Sequence, residues 1–338
     1  RFELTAAQSC PAWVMPNAHG AGYYRFALAP KLQQALSDNF AKLDEREQRV
    51  YADSVTAAYG AGTLTSAQML AALPQFATSK VRQTVTAGAG NIEWIKEHLL
   101  TDEAERKALL ANGADIYRPR LQQLGLTEKA GEPDDDRLLR NNRAEMNKQG
   151  RAVLGIDGDG KLDADATSRE RRGVALGVAV EEGGAAAFDL AEKHFRATQD
   201  PVLRNQLLGA LSGTKDAKLG ERVRAMVLEP GLLRRNEIYV ALGGQTQEET
   251  RAALSKWLDA NFDAAAARLA PGGAGLAGFD VGTGCSVAEA DAFEAKYSAR
   301  LKDMEGGPME VKQIVERIKL CAAAKDARKG QPLQLAGK

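Results

Sequence analysis

The chain is poor in the residues that most often carry chemistry. Its 338 residues include three cysteines and three histidines, and aromatic side chains make up 6%. Three cysteines are too few to replace a core with a disulfide scaffold, and none stands in the C-x-x-C spacing of a zinc site. The histidines, His19, His98 and His194, are isolated. H-E-x-x-H, which sets two imidazoles on one helix face with a glutamate between them, is therefore absent, and a zinc hydrolase site is not expected within this chain. G-x-S-x-G, Walker and dinucleotide-binding signatures are missing as well, and nothing pairs a Ser or Cys with a nearby His. The sequence thus offers no catalytic residue and no resident cofactor.

Charge of one sign is lacking too. Lys+Arg and Asp+Glu are both 45, and no basic block with interleaved aromatics supplies a phosphate-binding stripe, so nucleic acid is not an expected partner. No apolar run approaches the roughly 18 residues of a membrane span. With 44% hydrophobic and 27% charged residues the balance is that of a soluble chain, long enough for two domains or one elongated array. The first residue is Arg1, without initiator Met, charged n-region or apolar h-region, so a targeting signal is expected to have been removed or to lie upstream.

What the chain has in plenty is helical periodicity. From Lys31 onward, stretches of about 10 to 20 residues with apolar positions at helical spacing alternate with short Gly, Pro or Asp breaks. The pattern predicts helices over Glu45–Tyr59, Lys80–His98, Asp102–Leu124, Asp135–Gln149, Thr167–Val180, Gly184–Thr198, Pro201–Leu211 and Ala217–Leu228, among others. Asp200-Pro201 is a start signal, a carboxylate cap followed by a proline whose missing N–H costs nothing in the first turn. Gly113, Gly125, Gly150 and Gly183-Gly184 read as stops. From Ala166 to Leu269 the helices are short and amphipathic with very short turns; such hairpins bury their apolar faces only by stacking. The expected fold is therefore all-α, a right-handed α-solenoid of HEAT- or armadillo-like hairpins over 30–328, with an irregular helical bundle as the alternative. Residues 1–29 are expected to form a short β-strand pair, since Trp13–Met15 and Tyr23–Leu28 flank a Pro/Asn/Gly-rich turn. A flexible tail is expected over 329–338.

Four features compete with plain structural readings. Gly155-Ile-Asp-Gly-Asp-Gly-Lys-Leu-Asp-Ala-Asp-Ala166 matches an EF-hand at five places, with Asp157, Asp159 and Asp163 as candidate calcium ligands. Gly155 and Ala166 occupy the places of the first Asp and the bidentate Glu, which favours a plain turn. The acids of Glu132–Asp136 suit the positive end of a helix better than a metal. Arg140 and Arg143, three apart, are candidate contacts for a peptide carboxylate, against the plainer reading of a solvated face. Cys285 and Cys321, 36 positions apart, are a candidate disulfide tying a terminal helix to its neighbour, which leaves Cys10 without a partner in this chain.

Several motifs in order carry a resemblance. Trp13-Val-Met-Pro-Asn17 followed by Gly20-Ala-Gly22-Tyr-Tyr-Arg25 resembles the W-V-x-x-N-x-x-x-x-G-Y-Y-R start of the C-terminal helical domain of gluzincin zinc aminopeptidases of the aminopeptidase N type. Glu47 to Asp53 with Gly60-Ala-Gly-Thr-Leu-Thr65, Leu124-Gly-Leu-Thr-Glu-Lys-Ala-Gly-Glu132 with Leu138-Leu-Arg140, and Thr198-Gln-Asp-Pro201 with Arg204 and Leu207-Leu-Gly-Ala-Leu211 are similar to its later segments. Gly284-Cys-Ser286 and Ile318-Lys-Leu-Cys321 resemble its cysteine-bearing end segments, so the likeness covers about residues 10 to 328. Ser79-Lys-Val-Arg82 departs from it, standing where the family often has a Glu-rich or aromatic segment.

The resemblance implies a helical bowl that closes over a zinc site held by an upstream catalytic domain of the same polypeptide. Trp13, Asn17, Gly22, Tyr23, Tyr24 and Arg25 would mark the joint to that domain. Peptides would be the substrates, and the zinc would belong to the parent protein and not to these residues. A bonded Cys285–Cys321 pair would place the parent in the periplasm or outside the cell, with the cytoplasm as the alternative. Two rivals remain at this level: a stand-alone solenoid that binds a protein or peptide, and a calcium-regulated module.

Overall fold

A computed structural model describes residues 11–125, 129–140, 143–282 and 284–335. The chain forms two compact units, Arg1–Arg140 with Ala322–Lys338 and Asn141–Cys321. Among the described residues there are fifteen α-helices and no strand.

The first unit contains α1 (Pro30–Asp38), α2 (Glu45–Gly60), α3 (Ser66–Thr78), α4 (Arg82–Thr86), α5 (Ala89–His98), α6 (Glu103–Leu124) and α7 (Asp134–Leu139). Capping boxes start α2 and α3: Asp44 and Thr65 accept from the backbone N–H of Glu47 and Gln68, whose side chains reach back to the cap. Tyr51, Val55 and Tyr59 recur at helical spacing on α2 and are buried. Tyr51 joins Phe40 and Phe76 in an aromatic chain with ring centroids 5.7 and 6.1 Å apart, around which Leu36, Met69, Leu73 and Ile95 close the core. Leu333 and Leu335 pack against the same core.

The second unit contains α8 (Arg143–Leu154), α9 (Arg169–Ala197), α10 (Pro201–Ser212), α11 (Ala217–Leu228), α12 (Arg235–Gly243), α13 (Arg251–Ala267), α14 (Val287–Leu301) and the start of α15 (Gly307–Arg328). Asp200 and Asp216 cap α10 and α11 through the backbone N–H groups of Leu203 and Leu219. α9 packs on α8 and α10, and beyond it two helices also pack on the next but one, α10 on α12 and α11 on α13. α10 and α12 begin 34 positions apart, as do α11 and α13. Side-chain bonds join residues 33 to 37 apart throughout, among them Arg196–Glu229, Arg204–Glu237, Gln245 to the carbonyl of Ser212, and Arg300–Asp263. This regular stacking makes the fold α-solenoid-like, and its period is carried by bonds between layers although no sequence repeat matches.

Local expectations need correction where tertiary contact overrides them. The expected strand pair is not formed: described residues 11–29 are an extended segment with a 3-10 turn at Ala18–Gly20, because no neighbouring strand offers a ladder. Gly113 and Gly150 lie inside helices and are not stops. A Cβ on Gly150 would stand 2.0 Å from the carbonyl oxygen of Ala175, so this glycine serves the close crossing of α8 on α9. The predicted helix over Lys80–His98 is two, α4 and α5, and that over Asp135–Gln149 is replaced by α7 and α8. Gly184, at φ +57°, kinks α9 between the two helices predicted there.

Candidate functional site

The junction motif folds into a turn clamped on α2. Asn17, 2% exposed, mimics a strand partner with its carboxamide. Its Nδ2 donates to the carbonyls of Gly22 (2.8 Å) and Tyr24 (3.3 Å), and its Oδ1 accepts from the N–H of Gly22 (2.8 Å). Gly22 must lack a side chain, since a Cβ would lie 2.2 Å from the ring of Tyr24. The Tyr24 hydroxyl donates to the carbonyl of Pro16 (2.6 Å), and Trp13 packs against the first core. Arg25 grips Asp53 with Nε (2.7 Å) and Nη2 (3.2 Å), and the N–H of Phe26 donates to Ser54.

Tyr23 is left fully exposed, at the rim of a groove of about 760 Å³ lined also by Tyr24, Arg25, Arg49, Asp53 and Gln83. Tyrosine and arginine at an open edge are the side chains that protein interfaces favour, since each joins a large contact area to polar tips. At the other end of the turn, His19 Nδ1 lies 2.8 Å from Asp44, and the N–H of His19 donates to Glu47. The hydrogen bond to Asp44 raises the imidazole above its usual 6.5. The N–H of Glu47, and then His19, hold the Asp44 carboxyl below its usual range. Both acids already serve the capping box of α2.

The remaining sequence candidates are distributed through both units. Cys285 and Cys321 are bonded, with Cα atoms 4.9 Å apart, and tie the segment before α14 to α15. Cys10 lies outside the described residues, as do Leu126, Thr127 and Glu128 of the resemblance segment. Arg140 is 3% exposed; Nη1 and Nη2 clasp the two oxygens of Glu132, and Nε donates to the carbonyl of Leu124 (3.1 Å). Arg143 pairs with Glu181 (3.0 Å) and Glu182 (2.7 Å). The two arginines do not share a helical face, because Arg140 follows α7 and Arg143 opens α8. In the Gly155–Ala166 loop, Asp157 pairs with Arg151, Asp159 with Lys161, and Asp163 accepts from the N–H of Asp165. Among the described residues these three are not one of the ligand groups that gather within 4.8 Å. Leu162 anchors the loop on the second core, and Gly155 at φ +72° closes it.

His19 is held by Asp44, His98 lies with its ring 5.1 Å from Trp94, and buried His194 bonds the carbonyl of Leu154 through Nε2 (3.1 Å). Among the described residues His19, Asp44 and Glu47 bring their ligand atoms within 4.8 Å of one another.

Sequence reasoning missed the buried pair at the centre of the stack. Arg204 (4% exposed) binds Glu237 (1%) with Nε (2.8 Å) and Nη2 (3.0 Å), and its remaining N–H groups reach the carbonyls of Phe195, Thr198 and Leu232. Burial pushes the Glu237 carboxyl up, but Arg204 and the N–H of Arg234 outweigh it and hold the carboxyl below its usual range. Thr198-x-Asp200-Pro-x-x-Arg204 carried the signal for the arginine; its acid partner, 33 residues on, had none.

No curated protein matches the chain. Residues 13–320, which run from the junction tryptophan almost to the second bonded cysteine, match the ERAP1-like C-terminal domain, and the chain belongs to that family.

Proposed function

We propose that this chain is the non-catalytic C-terminal helical domain of a zinc-dependent aminopeptidase. The observation that carries the reading is the family match over residues 13–320 in a chain without H-E-x-x-H. Its HEAT-like hairpins cap the active-site cavity of an upstream catalytic domain and restrict which peptides enter. Zinc and the water it activates belong to that upstream domain, which does the bond breaking. The Tyr23, Tyr24 and Arg25 edge is the surface that docks against it, consistent with an exposed aromatic beside a guanidinium already fixed by Asp53.

The parent works in the periplasm or outside the cell, a placement supported by the Cys285–Cys321 bond. Alkylation of protein from its native compartment should find both thiols protected until reductant is added; free thiols there would overturn the placement.

The test of function compares the full-length parent with a version lacking residues 13–320, using a leucine anilide and peptides of graded length. Loss of length discrimination, with chelator-sensitive anilide cleavage retained by the purified catalytic part, is the expected result. Unchanged length discrimination, or chelator-sensitive cleavage by the present chain alone, would sink the proposal.

A further inference from the structure

Among the described residues, His19 is the single non-glycine residue whose backbone lies in the left-handed region, at φ +54°. A side chain costs energy there and stays only where its surroundings hold it, and such outliers gather where a side chain has a group to meet. The His19 side chain is 82% exposed, so burial does not place it. Two hydrogen bonds place it instead: the N–H of His19 donates to Glu47 Oε1 (2.9 Å), and the ring meets Asp44 with Nδ1 2.8 Å from Oδ2.

The three side chains bring one ligand atom each, an imidazole nitrogen and two carboxylate oxygens, within 4.8 Å of one another. His19 and Asp44 are 25 positions apart, so no contiguous motif announces the cluster. Asp44 Oδ1 accepts from the N–H of Glu47 (2.9 Å), and Glu47 Oε2 accepts from the N–H of Asp44 (3.0 Å). A carboxylate oxygen accepts two bonds, so these backbone bonds fix the acids and still leave a lone pair on each oxygen.

Charge and spacing both suit a cation. Asp44 and Glu47 supply two negative charges, which outweigh the roughly half positive charge of the α2 N-terminus together with the nearby guanidinium of Arg46. Metal bonds of about 2.0–2.2 Å at a tetrahedral angle set a nitrogen and an oxygen about 3.4 Å apart, so His19 and Asp44 need open by only about 0.6 Å to hold one ion between them. Calcium and magnesium seek six or more oxygen ligands, whereas one imidazole with two carboxylates suits zinc or copper.

We propose that His19 Nδ1, Asp44 and Glu47 form a binding site for a divalent transition-metal ion, zinc or copper, with water completing its coordination. The ion takes the place of the proton shared by Nδ1 and Oδ2, which leaves to solvent, and it ties the junction turn to the start of α2. The site is separate from the zinc proposed for the upstream domain, and its test needs only this chain, which lacks H-E-x-x-H.

The experiment titrates the whole chain, freed of metal by chelator and dialysis, with zinc, copper and calcium ions in a non-coordinating buffer at pH 7.5, by calorimetry and by the shift of the thermal midpoint. Saturable binding of zinc or copper with a rising midpoint is expected, and calcium should bind at least tenfold more weakly. NMR signals of the His19 ring should shift or broaden before those of His98 and His194. His19→Ala should weaken binding at least tenfold, as should Asp44→Asn, which keeps a cap acceptor for α2 and safeguards the test if the first variant loosens the turn. Asp115→Asn, which removes an exposed acid on α6, should leave binding unchanged. Absence of saturable binding by both transition ions, equal binding in the wild type and Asp44→Asn, calcium binding as tight as zinc, or a first response at His98 would overturn the proposal.

Discussion

Asn17 shows how one side chain can replace a missing strand. Its carboxamide supplies a donor and an acceptor to a turn that has no sheet, and Asn17→Ala would take from the half-buried N–H of Gly22 its partner. Such a loss costs about 0.5–1.5 kcal/mol, to be read as a lower midpoint in urea unfolding. His19 makes a second prediction at this scale. Its folded pKa is raised by Asp44, so its contribution to the turn is full below pH 6.5 and is lost as the pH rises through the raised value. An NMR titration of the His19 ring should show a midpoint above 6.5 in the wild type and a return toward 6.5 in Asp44→Asn. No upward shift in the wild type would mean that the pair does not form in solution.

Elements in the second unit are locked by bonds between layers as much as by their apolar faces. Arg204 lies in α10 and Glu237 in α12, so the pair pins the stacking of one hairpin on the next. Arg204→Met should destabilise the chain by about 3–5 kcal/mol, because it strands a buried carboxylate. Adding Glu237→Leu should recover a large part of the loss, since a well-packed apolar pair often matches a buried ion pair. Two denaturation curves with no recovery in the double variant would place the energy in the arginine's bonds to the carbonyls of Phe195, Thr198 and Leu232 instead. Gly150→Ala belongs at this scale too. The methyl group has no space against Ala175 and Ala179, so α8 must move off α9 and the thermal midpoint should fall.

At the scale of the whole molecule, the two units have separate apolar cores, one built around Tyr51 and Phe76 and the other around Phe188, Phe195 and Phe262. The disulfide lies wholly within the second. Closing a loop of 36 residues stabilises by about 3–4 kcal/mol in the chain-entropy account. Reduction, or Cys285→Ser with Cys321→Ser, should therefore lower the stability of the second unit by that order. Hydrogen exchange at amides of α10 to α13 should report the loss, and amides of α2 and α3 should not. Equal loss of protection in both units would show that they unfold as one cooperative body.

Sequence by itself determined the helical class, most helix starts and the family, because caps, prolines and 3.6-residue periodicity are local and the junction motif is contiguous. Asp200-Pro201 begins α10 at the predicted place for that reason. Tertiary structure alone decided what the glycines and the charges do. Gly150 reads as a stop until α9 is packed against it, and Trp13–Leu28 reads as two strands until no neighbouring strand is found. The 34-residue register of the stack and the partner of Arg204 depend on residues about 33 or 34 positions away. Periodicity of single helices cannot encode such distances; only stacking one hairpin on the next brings the two ends together.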